Sequence, residues 1–392
     1  MNVPAPSAED ASPDLSRRFP SFDSLEEPRV VLDMETLDRN LEKAAAIASG
    51  NAALHPHVKT HKSLAIARAQ MDRGAQGFTV ARPHEAGMLL AAGLGPVTVA
   101  YPIIAPETIA TLLRLAGAPG RLRFIADSAE GIKAMSDAAR TAGLPVDLFL
   151  KVDVGLHRCG VDPRSEQSVA LASMIDRYQN LSFAGLLSHA GHAYGASSPD
   201  AIRAIATEEL ALLTELRAKL ERSGIPVSRI SVGSTPTLLA HAGFDGIDEI
   251  RPGNYVFLDL TAVRLGIARR SDLALGIAAR IVTANDRYAI ANVGSKTLSS
   301  DLGAHGTSAT TSFGEAWIDD GRSPLPVVKL SEEHAFLDHG GSRPAIGTPV
   351  LILPNHSCPV ANLSGGLLGL RRDGATPLEI AVEGFVRPVI KG

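Results

Sequence analysis

LHPHV (54–58), GFTVA (77–81), VTVAY (97–101), LRFIA (122–126), VDLFLKV (146–152), FAGLLSH (183–189), RISVG (229–233) and DEIRP (248–252) are eight short, β-prone apolar runs. The segments between them are helix-like, as in the amphipathic EELALLTELRAKLER at 208–222. Strands covered by helices on one side and packed on the other read as apolar runs rather than as strict alternation. Eight strand–helix alternations at this spacing are the pattern of an α/β (β/α)8 TIM-type barrel. A doubly wound open sheet is the competing architecture, and the count of eight favours the barrel.

Outward from these runs the texture changes. After about residue 270, LALGIAARIVTA, YAIANVG, LPVVKLSEEHAFL, TPVLILPNHSC and LEIAVEGF are strand-like, with Gly, Pro and Asp turns and little helical pattern. This predicts a mostly antiparallel β domain. PRVVLDM at 28–34 is a further strand that precedes the barrel. The organisation expected is a flexible Pro/Ser/Ala-rich arm at 1–20, a barrel over 38–270, and a β domain assembled from 21–37 and 271–392.

The chain of 392 residues suits two domains or a barrel with an appendage. Its net charge of −4 offers no nucleic-acid footprint, and 4% aromatic residues argue against a base-stacking platform. A hydrophobic share of 45% is that of ordinary globular proteins. Cys159 and Cys358 are too few for a disulfide framework and suit a reducing compartment. No apolar core of a signal peptide is read in the first twenty residues. Residues 86–106 carry no charge over a bilayer-spanning length, but Gly93, Gly95, Pro96, Pro102 and Pro106 break the stretch into a helix end, a turn and a buried strand. A soluble, cytoplasmic protein with no membrane or nucleic-acid partner is expected.

Three motifs carry chemistry. In HPHVKTHKS (55–63), Lys59 falls at the C-terminal end of the first barrel strand, where barrel enzymes keep reacting groups. Among His55, His57 and His61 its amine is partly desolvated, which favours the neutral nucleophile. Read locally, a surface lysine at a strand end explains it as well. In SVGSTPT (231–237), Gly233 permits close backbone approach, and Ser234, Thr235 and Thr237 offer hydroxyls and amides to a phosphate at a helix start. A plain helix cap would need only one of those hydroxyls. GNYVF (253–257) borders the same region and supplies Gly253, Asn254 and Tyr255. In PNHSC (354–358), read as a strand, His356 and Cys358 lie two apart and face one way, an imidazole and a thiolate suited to Zn²⁺. Two protein ligands leave positions open for water and substrate, whereas a core cysteine beside a loop histidine is the commoner local explanation. Glu333 and His334 are expected at the mouth of that site. Arg158 in VDVGLHRCGV (152–161), with His189, His192 and Tyr194 in SHAGHAYG (188–195), follow strands on the same rim.

Together EPRVVLDMETLDRNL, HPHVKTHKS, VDVGLHRCGV, SHAGHAYG, VGSTPT, IRPGNYVF, ANVGSKTLSSD, EEHAF and PNHSCPVANL resemble the fold-type III pyridoxal-phosphate enzymes, an alanine-racemase-like barrel with a β domain. Within them the chain is most similar to the D-serine dehydratase and D-threonine aldolase group. The resemblance runs from residue 27 to 387. It implies that Lys59 joins pyridoxal 5'-phosphate covalently, that Arg158 contacts its phenolic oxygen, and that the GSTPT loop and Tyr255 bind its phosphate. It also implies that His356 and Cys358 hold a divalent metal, Zn²⁺ first, with Mn²⁺ or Mg²⁺ as alternatives. His57, Tyr194, Gly253 and Asn254 are assigned with the cofactor, and Lys59, His189 and Tyr194 with catalysis.

The activity implied is that of a lyase dehydrating D-serine-like substrates to a 2-oxo acid and ammonia. D-threonine aldolase-type cleavage to glycine and an aldehyde is the first alternative and an amino-acid racemase the second. The aldolases of the group carry H-x-D and a histidine where this chain has Tyr194, so both positions tilt toward dehydration. A metal at the β-oxygen is needed for either lyase reaction and not for racemisation. The resemblance further implies a homodimer.

Overall fold

The computed structural model describes residues 18–385 apart from 242, 305, 306, 308, 309 and 319–322. Most of the 1–20 arm therefore lies outside the described residues. The part that is described is anchored: Phe19 is fully buried and the Arg18 guanidinium donates to Asp33 Oδ2 at 3.2 Å. An apolar ring and a paired cation bind the chain here, so residues 18 and 19 pack as part of the fold.

The first strand, β1 (Arg29–Asp33), is followed by helix α1 (Met34–Ala48). The chain divides into one unit of residues 44–253 and another that combines residues up to 43 with 254–385. These divisions fall inside the boundaries of 38 and 270 expected for the barrel.

Each of the eight apolar runs contributes residues to a strand of one parallel sheet, the first of them only Leu54. The strands are β2 (Ala53–Leu54), β3 (Phe78–Val80), β4 (Val97–Val99), β5 (Leu122–Ala126), β6 (Val146–Lys151), β7 (Leu181–Leu187), β8 (Ile230–Val232) and β9 (Glu249–Ile250). The order is β2-β9-β8-β7-β6-β5-β4-β3. A parallel bridge between His57 and Thr79, with Thr79 N–H donating to Pro56 O at 2.8 Å, joins the two ends. The sheet is a barrel, not an open doubly wound sheet.

Between the strands run α2 (Leu64–Asp72), α3 (Pro83–Ala91), α4 (Pro106–Ala116), α5 (Ala129–Ala142), α6 (Glu166–Arg177), α7 (Pro199–Arg222) and α8 (Thr235–Leu239). Their ends follow local chemistry. Ser128 caps α5 by accepting from Gly131 N–H at 3.1 Å, and Gly143 at φ +67° ends it. Pro199 opens α7, where its missing N–H costs nothing. The 86–106 stretch is divided among α3, β4 and turns, and no helix among the described residues is long and apolar enough to cross a membrane.

Ile125, Phe149, Ala184 and Leu187 form part of an apolar core. The barrel also buries charge. Arg123 on β5 pairs with Glu249 on β9 and lies 2.8 Å from His55 Nδ1. Because β5 and β9 are not neighbours in the sheet, this pair spans the barrel interior. Charges persist there because each has a partner.

In the other unit, β10 (Leu275–Ala284), β11 (Tyr288–Ala291), β12 (Gly314–Trp317), β13 (Leu325–Leu330), β14 (Ala335–Asp338) and β15 (Pro349–Pro354) pair in a closed antiparallel ring. Beside it stand β16 (Gly366–Leu370) and β17 (Leu378–Ala381). β1 pairs antiparallel with β10 and parallel with β16, so the strand at 28–34 belongs to this domain. Short helices α9 (Leu260–Arg264), α10 (Ser295–Leu298) and α11 (Ser357–Leu363) complete it, and Trp317 is buried within it.

Candidate active site

At the end of β2 the chain turns through a single 3-10 turn, Val58–Thr60, which presents Lys59 on the barrel rim. His57 Nδ1 accepts from Lys59 N–H at 3.4 Å, so in the neutral ring Nε2 carries the proton. Burial first, and then the positive charges of Lys59, Arg251 and Arg158, push His57 well below the ordinary histidine range. His61 is buried, accepts from Ser63 N–H at 3.1 Å and is pushed down to about 3, chiefly by burial. The histidines around Lys59 are thus neutral, and the positive charge of this rim comes from lysine and arginine.

The loop after β6 ties itself in place. The Asp153 carboxylate accepts from Gly155 N–H and His157 N–H, both at 3.0 Å. Val161 N–H returns to Lys151 O at 2.9 Å. Gly160 sits at φ +117°, where a Cβ would lie 2.5 Å from Asp153 N, so only glycine closes this turn. Arg158 is carried, exposed, on that loop. After β7, His189 Nδ1 lies 2.6 Å from Gly233 O. A carbonyl only accepts, so Nδ1 bears the proton and Nε2 is the lone-pair nitrogen. Tyr194 is half-buried in the turn Gly191–Gly195, and His192 packs against Gly155.

Ser234 caps α8 through Thr237 N–H at 3.2 Å, and the two hydroxyls lie 2.7 Å apart. Thr235 opens the helix between them. Gly233 and Gly253 have the shape a phosphate cradle needs. A Cβ on Gly233 would sit 3.1 Å from Arg251 O, and one on Gly253 would sit 3.0 Å from Thr60 Oγ1 and 3.2 Å from His57 Cβ. Backbone amides, hydroxyls and glycines that leave no room for a Cβ, set among cations, fit an anionic phosphate, and the Lys59 amine is the group that would join the aldehyde of pyridoxal phosphate. Asn254 and Tyr255 fall across the division at residue 253, in the turn Asn254–Val256, and both are buried.

In the β domain, β15 stops at Pro354, and PNHSC is not the extended strand expected. His356 is the N-cap residue of α11 and Cys358 stands in its first turn. Pro359, tolerated early in a helix and unable to donate to a sheet ladder, sets this outcome. The two side chains still meet. His356 is pushed up to about 9: burial lowers it, but the Cys358 charge and hydrogen bond, Asp259 and Asp301 together outweigh burial. His356 Nδ1 lies 3.0 Å from Asp301 Oδ2, so Nδ1 bears the proton and Nε2 is left for a ligand. Asp259 is committed elsewhere, accepting from Ser357 N–H at 3.0 Å and Asn254 Nδ2 at 2.6 Å. Asn254 is therefore tied to the backbone beside the metal pair. Glu333 pairs with Lys296 at 3.1 Å, and both it and His334 are exposed. A thiolate beside a carboxylate-backed imidazole fits a soft divalent ion. No group of three or more His, Cys, Asp or Glu side chains able to hold a metal occurs among the described residues.

Sequence reasoning missed Arg251, Lys151 and Glu209. Arg251 is buried and donates to Ser231 Oγ at 2.8 Å and to Ser188 O, and burial pushes it down to about 10. Lys151, at the end of β6, donates to Val152 O at 3.2 Å and is lowered by burial to about 8. Burial raises Glu209, whose carboxyl meets Ser188 Oγ. For Lys151 and Arg251 a charged residue closing an apolar run (FLK, EIR) was the available signal, whereas Glu209 lies within α7 and had none.

The alanine racemase N-terminal domain family matches residues 32–261, and the serine dehydratase domain family matches 274–369. The chain is 30% identical to D-threo-3-hydroxyaspartate dehydratase of Delftia sp. over 365 residues, 90% of this chain and 96% of that protein. It is 30% identical to D-serine dehydratase of Dictyostelium discoideum over 84% of this chain and 89% of that protein. Against D-threonine aldolase of Arthrobacter sp. the identity is 27%, over 92% of this chain and 93% of that protein. The solved structure of the Delftia dehydratase superposes with a TM-score of 0.84 at 29% identity, covering 92% of this chain and 98% of that one. That dehydratase has also been solved as a cysteine-to-alanine mutant in the metal-free form and as a histidine-to-alanine mutant. With a closed barrel presenting Lys59 and a β domain presenting His356 and Cys358, the chain belongs to the fold-type III pyridoxal-phosphate lyases of the D-serine dehydratase and D-threonine aldolase group.

Proposed function

We propose that this protein is a zinc-dependent dehydratase that converts D-serine-like β-hydroxy D-amino acids to a 2-oxo acid and ammonia. The observation that carries the reading is the His356–Cys358 pair with Asp301 behind the imidazole, because hydroxide is a poor leaving group without a cation at its oxygen. When bound, pyridoxal phosphate supplies an electron sink for charge at Cα, and the metal supplies a Lewis acid for the β-oxygen.

The chain's own residues do the rest. The Lys59 amine takes the Cα proton. Gly233, Gly253 and the hydroxyls of Ser234, Thr235 and Thr237 would hold the phosphate, and Tyr255 is assigned to the same group. Arg158 and Arg251 supply positive charge for anionic groups, and neutral His57 offers Nε2–H as a donor. His189 offers the lone pair of Nε2, and Tyr194 a hydroxyl. His356 Nε2 and the Cys358 sulfur would hold the cation. Loss of the Cα proton and the β-hydroxide leaves an enamine, which water converts to the 2-oxo acid and ammonia.

A second reading, retro-aldol cleavage to glycine and an aldehyde, is favoured by the similarity to D-threonine aldolase over 92% of this chain. It would use the same cation to acidify the β-hydroxyl. Incubation with D-serine and with D-threonine, each with Zn²⁺, separates the two: ammonia and oxo acid support dehydration, and glycine with aldehyde reverses the order. A homodimer and a cytoplasmic location belong to the same proposal. The family resemblance supports the dimer, and a chain with only two cysteines suits a reducing compartment.

A further inference from the structure

Among the described residues two carboxylates act on the His356 imidazole, Asp259 and Asp301, and of these Asp301 is the one hydrogen-bonded to it. Asp259 has given Oδ1 to the N–H groups of Thr261 and Ala262, at 3.1 and 3.3 Å, and Oδ2 to Asn254 and Ser357. Asp301 places Oδ2 3.0 Å from His356 Nδ1. The backbone that delivers it is unusual. α10 ends at Leu298, and Ser299 then adopts φ +68°, ψ 164°, a region that belongs almost wholly to glycine. The Ser299 hydroxyl accepts from Asp301 N–H at 3.2 Å, which fixes the aspartate over the turn. Strained non-glycine residues persist where the surrounding structure over-determines them, and they gather at functional sites.

We infer that Asp301 is the positioning carboxylate of the metal site: by holding Nδ1–H it fixes the tautomer and ring plane of His356, so that Nε2 faces the cation. This rests on the metal reading above and adds a residue to it. A carboxylate behind a ligating imidazole also makes that imidazole a stronger donor.

The test is the zinc affinity of pyridoxal-phosphate-loaded protein, measured by competition with a chromophoric chelator. Asp301 is half-exposed, so its substitution leaves the core intact. Asp301→Ala is expected to bind zinc about 10- to 100-fold more weakly. Asp301→Asn keeps an oxygen that accepts Nδ1–H and is expected to recover most of that loss. Unchanged affinity in Asp301→Ala overturns the inference. An Asn variant as weak as the Ala variant also overturns it, since that outcome marks a direct ligand or a purely electrostatic role. Cys358→Ala, run alongside, isolates the underlying reading: if it leaves zinc affinity intact, the metal pair itself fails, whatever Asp301 does.

Discussion

The barrel rim and the β domain's H-x-C turn hold their histidines in opposite states. Burial, aided by Lys59, Arg251 and Arg158, drives His57 well below the ordinary range. His356 is also disfavoured as a cation by burial, yet Cys358, Asp259 and Asp301 lift it to about 9. The difference teaches what each region receives. A rim of cations around neutral imidazoles suits an anionic cofactor and substrate, whereas a turn of thiol and carboxylates suits a metal ion, with the proton on His356 standing where the metal would bind.

The largest effect that could break this comparison comes from removing one group on each side. Lys59→Ala is expected to abolish both the visible absorbance of the bound cofactor and turnover, with a rate loss of about 10³-fold, the scale of a lost proton-transferring group. Cys358→Ala is expected to lose about 10²- to 10³-fold in ammonia release, yet to keep the absorbance. If Cys358→Ala also bleaches the protein, the two regions are not doing separate jobs.

A second, smaller effect is in pH. His55 and His61 in the barrel are held down to about 4 and about 3, chiefly by burial. Below pH 6.5 the unfolded chain binds more protons than the folded one. Barrel stability is therefore complete above about pH 6.5 and falls on acidification, by about 1.4 kcal/mol per pH unit for each histidine. His356 in metal-free protein has the opposite sign: its contribution is complete below about pH 6.5 and is lost as pH rises toward 9. Urea unfolding of the metal-free protein from pH 4.5 to 9, followed by probes in each region, measures both slopes, and equal slopes would contradict the contrast.

The smallest effect is local. Gly233→Ala puts a methyl 3.1 Å from Arg251 O. It is expected to weaken cofactor binding about tenfold by crowding the cradle, at a cost of about 1–2 kcal/mol, without changing zinc affinity. Fluorescence titration with pyridoxal phosphate reads this directly.

Much of this was legible in the chain. Lys59 was readable because a lysine at the end of the first β-prone run has one place to go in a barrel. The hydroxyl surplus of SVGSTPT was readable for the same reason. The H-x-C pair was found, but for a reason that did not hold. Strand periodicity put His356 and Cys358 on one face, whereas the fold brings them together around the start of α11. Asp301 closes the ANVGSKTLSSD motif, but its partner escaped because His356 is 55 residues away and nothing local pairs the two. Arg251 and Lys151 escaped because a cation at a strand end normally points to water.

What the sequence alone determined was the alternation of eight strands with helices, the β texture that follows, and the motifs that name a family. These are local or order-dependent properties, set by side-chain periodicity and turn residues along the chain. Only the tertiary structure decided which charges are buried and what satisfies them. Arg123 meets Glu249 from 126 residues away, and Thr261 donates to Asn355 O from 94 residues away. A buried polar group is stable only with a partner, and the partner's identity depends on how strands distant in the chain are brought side by side.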